Sequence, residues 1–155
     1  MDITYIKKLL HHREPYLLID QVIQLETNTI HARKKLTGQE FFFKGHFPGA
    51  PVLPGAMMQE MTTQAAGLLI TKNFSPVENY DSEKTKGHAL GVLKKVNYGK
   101  YLNFAKPGDL LDIKVNLTDH LENLFEFKAV ISRNDEIIMK NSFQLMNISD
   151  EYLYQ

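Results

Sequence analysis

The stretch from residue 44 to 55, Lys44-Gly45-His46-Phe47-Pro48-Gly49-Ala50-Pro51-Val52-Leu53-Pro54-Gly55, is the strongest constraint on how this chain can fold. Pro48, Pro51 and Pro54 alternate with Gly45, Gly49 and Gly55, a density that no helix or strand tolerates. Phe47, Val52 and Leu53 within it predict an ordered loop packed on something. From Ala56 to about Thr71 the pattern turns helical, with Met57, Met61, Gln64, Leu68 and Thr71 on one stripe. Ala, Met, Leu and Gln dominate this window and favour helix. Glu60 is its only acidic residue. Such a helix is about 24 Å long. Being apolar on nearly every side, it is predicted to be enclosed by other elements.

The rest of the chain supplies the enclosure. Ile3, Ile6, Leu9 and Leu10 predict a short helix over 3–10, followed by strands over 16–25 and 29–36, the second interrupted on its apolar side by Lys34. After a polar loop at 73–87, strand-like segments cover 88–98, 111–118, 125–132 and 137–147. Leu111, Ile113, Val115 and Leu117 alternate with polar residues, a period of two. Short turns between these segments imply an antiparallel meander. The expected fold is α+β, an antiparallel sheet wrapped around one long central helix. A chain of 155 residues is expected to form one domain, 1–155.

Composition removes several classes of function. Lys plus Arg number 18 and Asp plus Glu 18, so nothing drives general binding to nucleic acid. The chain has no cysteine, which excludes a disulfide framework, a thiolate zinc site and a cysteine nucleophile. No apolar run is long enough to span a bilayer, and no signal-peptide core follows Met1, so a cytoplasmic location is expected. Phosphate-loop, dinucleotide and serine-hydrolase motifs are absent. His11-His12 lack carboxylates at metal-ligand spacing, and neither metal nor cofactor is expected. Arg33-Lys34-Lys35 and Lys94-Lys95 read as solvated faces.

Three residues could carry chemistry. His46, in a rigid loop, is suited to general-base work, though it could simply bond its own backbone. Glu60 is a lone acid on an apolar helix; burial would raise its pKa and suit it to proton donation, whereas facing solvent or pairing with a cation such as Lys72 or Lys44 would make it structural. Gly55 sits at the helix start, where backbone N–H groups could polarise a carbonyl, or could merely begin the helix.

The run Gly45 to Gly55, followed by Glu60 and Gln64, resembles the 3-hydroxyacyl-[acyl-carrier-protein] dehydratases of FabZ type, which read G-H-F-P-G-x-P-x-x-P-G, then Glu, then Gln four positions on. The segment from His12-Arg13-Glu14-Pro15 to Asp20 and the turn Pro107-Gly108-Asp109 are similar to further family segments. The resemblance implies a hot-dog fold, a dimer joined sheet edge to sheet edge, and in some members a trimer of dimers. It implies that His46 of one protomer removes the C2 proton of a 3-hydroxyacyl thioester while Glu60 of the other protonates the leaving hydroxyl. It places the Gly55 N–H on the thioester carbonyl and the Val52 carbonyl on the His46 ring, with Phe47 and Gln64 also on the substrate-binding surface. Phe41–Phe43, Phe47, Met57 and Met61 could line an acyl tunnel or simply pack the core. Lys94, Lys95 or Lys100 could form a basic rim for an acyl carrier protein.

One segment departs from the family. Where it has K-F-R-x-P-V, this chain has the longer Asn97-Tyr98-Gly99-Lys100-Tyr101-Leu102-Asn103-Phe104-Ala105, near the expected substrate entrance. Two other functions remain open: a hot-dog acyl thioesterase, and a non-catalytic hot-dog subunit that binds an acyl carrier.

Overall fold

The computed structural model describes residues 1–85 and 90–153. Its elements run α1 (Ile3–Leu9), β1 (Gln21–Leu25), β2 (Thr29–Lys35), α2 (Gly55–Phe74), β3 (Leu90–Tyr101), β4 (Leu110–Leu121), β5 (Leu124–Arg133) and β6 (Glu136–Ile148), then a 3-10 turn at Asp150–Leu153. The strands form one antiparallel sheet in the order β1-β2-β4-β5-β6-β3. Helix α2 packs against β2 through β6. This is the hot-dog arrangement expected from the sequence.

Residue periodicity explains which face meets the helix. On β5, Phe125, Phe127, Ala129 and Ile131 are buried, and on β4 Leu111, Ile113 and Val115 join them. The Phe127 and Phe143 rings stack with centroids 5.5 Å apart and are fully enclosed. On α2, Met58, Met61, Ala65, Ala66, Leu68, Leu69 and Ile70 are buried on several sides of the axis, as predicted for an enclosed helix. Phe127→Ala removes one of the two large rings fully enclosed in the core and is expected to cost about 3–5 kcal/mol, read as a lowered midpoint in denaturant.

Four expectations need correcting. The predicted strand over 16–25 shrinks to β1, because the Leu18 N–H donates to the buried Gln64 Oε1 (2.8 Å) instead of to a neighbouring strand. The four later strands are not one meander. β4, β5 and β6 follow that path, but β3 pairs with β6, so the chain crosses the sheet between β3 and β4 and leaves β3 at the edge. Lys34 is not on a solvated face. It is buried on the core side of β2, its Nζ 2.9 Å from Asp20 and 3.6 Å from Glu40, which is how a charge in that row is tolerated. Helix α2 runs three residues further than predicted, to Phe74, because Phe74 packs against Phe125 and so extends the apolar stripe. His88 and Ala89, the first residues of the strand predicted over 88–98, lie outside the described residues.

Candidate active site

The proline- and glycine-rich segment is an ordered loop. Ala50 N–H donates to the Phe47 carbonyl (2.9 Å), Val52 N–H to the His46 carbonyl (3.1 Å) and Leu53 N–H to the Ala105 carbonyl (2.8 Å). Gly49 turns the chain at φ +77°, a conformation a side chain would resist. Leu53 is buried and anchors the loop to the core. One hydrogen bond and one ring contact within the loop fix the His46 side chain. Its Nδ1 donates to the Val52 carbonyl (2.9 Å), and its ring stacks on Phe47 at 4.1 Å. A proton held on Nδ1 leaves the lone pair on Nε2.

The loop delivers the chain into α2 at Pro54, which offers no side-chain cap. Met57 and Met58 donate their N–H groups to the Pro54 carbonyl (3.0 and 3.2 Å), and the N–H groups of Gly55 and Ala56 lie ahead of them at the positive end of a 20-residue helix. They open on a cavity of about 280 Å³ lined by His46, Phe47, Val52, Gly55, Met58 and the segment Tyr101–Phe104. Tyr101 lies against the helix start. A Cβ placed on Gly55 would sit 3.0 Å from its ring, so glycine here keeps the ring and the helix tip together. Phe104, 82% exposed, and Phe47, 54% exposed, present bare aromatic faces at the mouth.

Glu60 lies five residues along α2, about 140° around the axis from Gly55. It does not line that cavity. Its Oε1 accepts from Gln64 Nε2 (3.0 Å), the Tyr16 hydroxyl donates to it, and His12 Nε2 stands 3.6 Å away. These groups, not Lys72 or Lys44, are its neighbours; Lys72 instead lies over the Tyr5 ring. Burial pushes the Glu60 carboxyl above the ordinary carboxylate range, against the pull of its bonds to Gln64 and Tyr16. Gln64 is fully buried, and its amide also donates to the Tyr16 carbonyl (2.7 Å) while accepting from Leu18. It ties Glu60 to the 16–18 segment.

A family model described as a FabA-like domain matches residues 10–142. The 3-hydroxyacyl-[acyl-carrier-protein] dehydratase FabZ of Verminephrobacter eiseniae is 38% identical over 138 residues, 88% of this chain and 87% of that protein. The chain belongs to the FabZ-type dehydratase family. FabZ of Campylobacter fetus is 32% identical, over 94% of this chain and 97% of that one. Among solved structures, the dehydratase heterocomplex ApeI:P from Xenorhabdus doucetiae superposes with a TM-score of 0.78 at 22% identity, covering 97% of this chain and 95% of that one. A hypothetical thioesterase of Streptococcus pneumoniae with coenzyme A superposes at 0.60 and 15% identity, covering 83% of this chain and 85% of that one. These two likenesses speak to the fold.

Within that family frame, His46, Phe47, Val52 and Gly55 gather at one cavity, while Glu60 and Gln64 gather with His12 and Tyr16. Phe42, Phe43 and Met61 pack the core, so of the tunnel candidates only Phe47 reaches the cavity. The divergent segment 97–105 does reach it, through Tyr101, Leu102, Asn103 and Phe104. Lys94, Lys95 and Lys100 are exposed along β3. Sequence reasoning missed His12 and Tyr16 as neighbours of Glu60. The signal was their place in the family-like segment just ahead of Leu18, but no local spacing links them to α2. Among the described residues no three or more His, Asp or Glu side chains come together as a metal cluster, and no helix is long and apolar enough to cross a membrane.

Proposed function

We propose that this chain, as one domain over residues 1–155 in the cytoplasm, dehydrates (3R)-3-hydroxyacyl thioesters on an acyl carrier protein to trans-2-enoyl thioesters, in fatty-acid or related lipid synthesis. The observation that carries the reading is the His46 ring, held by Val52 with its Nε2 lone pair beside a helix start. His46 Nε2 takes the C2 proton. The Gly55 N–H meets the thioester oxygen as charge develops there, strengthened by the helix dipole. Glu60 donates its proton to the C3 hydroxyl, which departs as water. Burial favours the protonated carboxyl that this step requires.

In one protomer His46 and Glu60 belong to separate clusters. The reading therefore includes a homodimer in which His46 of one protomer works with Glu60 of the partner subunit. β3 supports it: a 12-residue strand at the sheet edge, with Val92, Leu93, Val96 and Tyr98 exposed. An edge that long and apolar is a template for pairing with a second copy. Trimers of such dimers are a further assembly open to the chain.

The test follows the near-ultraviolet absorbance of the conjugated enoyl thioester. Purified protein is expected to bleach it by hydration when given crotonyl and longer enoyl thioesters. Release of free thiol without that hydration would replace dehydration by thioester hydrolysis, and tight carrier binding without turnover would mark a non-catalytic subunit. A second test addresses the helix tip. Gly55→Ala should push the Tyr101 ring off the helix start and lower kcat/KM about tenfold. Adding Tyr101→Ala to it should recover part of the loss, because the clash is then removed.

A further inference from the structure

The surroundings of Glu60 contain a group that the reaction as described leaves unused. We propose that His12 is the proton-return residue for Glu60, reloading its carboxyl from solvent after each turnover. The inference rests on the reading of Glu60 as the acid. A carboxyl that donates its proton in every cycle must regain one, and most of its contacts here are unsuited to supply it. Gln64 does not titrate, the Tyr16 hydroxyl is a very weak acid whose loss of a proton beside Glu60 is further disfavoured, and Glu60 itself is only 19% exposed. His12 Nε2 stands 3.6 Å from Oε1, and its side chain is 32% exposed. It therefore touches both the carboxyl and the outside.

The ring is built into place. It stacks on Tyr16 with centroids 6.1 Å apart and planes 18° from parallel. Arg13 Nη1 donates to the carbonyls of Leu10 (2.7 Å) and His12 (2.9 Å), fixing the backbone on which the ring stands. His12 Nδ1 is buried and has no hydrogen-bond partner among the described residues, so the ring exchanges protons through Nε2, the nitrogen that faces Glu60. On its other side His12 borders a cavity of about 290 Å³ with Thr63, Gly67, Leu90 and Val92.

The charges around the pair set the order of events. Burial, then the adjacent His11 and Arg13, hold the imidazole pKa below its usual value, while burial holds the Glu60 carboxyl above its own. The resting pair is biased toward neutral imidazole and neutral carboxyl. When Glu60 releases its proton to the leaving hydroxyl, the new carboxylate favours an imidazolium beside it. His12 then takes a proton from solvent at Nε2 and passes it to Oε1, and both groups return to neutral. His46 returns the C2 proton to solvent, so each cycle closes without net proton change.

The test compares His12→Ala, His12→Gln and Glu60→Gln in the full-length protein, measuring steady-state dehydration with and without added imidazole. Both His12 variants are expected to lose about 10–100-fold in kcat with KM unchanged. Imidazole in the buffer should restore His12→Ala but not Glu60→Gln. Gln at position 12 can still hold the carboxyl but cannot carry a proton. A normal kcat in His12→Gln, or a loss in His12→Ala that imidazole does not relieve, overturns the assignment. Full activity of Glu60→Gln would instead overturn the role of Glu60 itself.

Discussion

His46→Ala should lower kcat for enoyl-thioester hydration by about 10²–10⁴-fold while leaving the fold intact. The large chemical effect comes from the loss of the Nε2 lone pair beside the helix tip. The small structural effect comes from how the loop is anchored. Leu53 is buried and takes the Ala105 carbonyl, whereas His46 is half-exposed and contributes one bond to Val52 and one stacked ring. Absorbance kinetics and a thermal melt on the same sample separate the two. Activity within about tenfold of wild type would remove His46 from the role of base.

Glu60→Gln should abolish turnover to a similar extent, and mixing the two variants should bring part of it back. If each site combines His46 of one protomer with Glu60 of the other, a mixed dimer holds one intact site and one doubly disabled site. With random exchange between subunits, about a quarter of wild-type activity should return. No recovery after verified subunit exchange would place both residues in the same protomer. Glu60→Gln should also change stability in a pH-dependent way. The carboxyl pKa is raised in the folded state by burial. The folded protein therefore favours the protonated group, an advantage present in full below the unfolded-state pKa and lost as pH rises through the folded one. Glutamine has no such loss. The melting temperature of the variant relative to wild type should rise from acid to neutral pH, while activity disappears at both.

How far these residues could be read from the sequence depended on how local their causes are. Helix α2 was legible because Ala, Met, Leu and Gln favour helix and a lone Glu60 leaves little polar surface. β4 and β5 were legible from alternation alone. The loop at 44–55 announced itself through its prolines and glycines, and with it His46 and Gly55. The pairing of β3 with β6 was not legible, because periodicity within a strand says which face is buried but not which neighbour it meets. Tyr16–Asp20 reads as strand by composition, and only the distant Gln64 diverts Leu18 from a ladder. Lys34 breaks the apolar row on paper, and its partners Asp20 and Glu40 come from separate segments. The same non-locality hid the neighbours of Glu60, since His12 and Tyr16 reach α2 only through the folded core.

The edge position of β3 also bears on the order in which the molecule assembles itself. β4, β5 and β6 are joined by tight turns, and their pairings close short loops. β3 must instead match Leu90 to Ile148 and Tyr101 to Met139, spanning the whole of that hairpin series. Loop-closure entropy makes such long-range pairing slow, so the local hairpins should form first and β3 should dock on β6 late. Tyr101 arrives with it and meets Gly55 only then. A nascent chain would thus complete the cavity beside His46 and present the outer edge of β3 in the same late step.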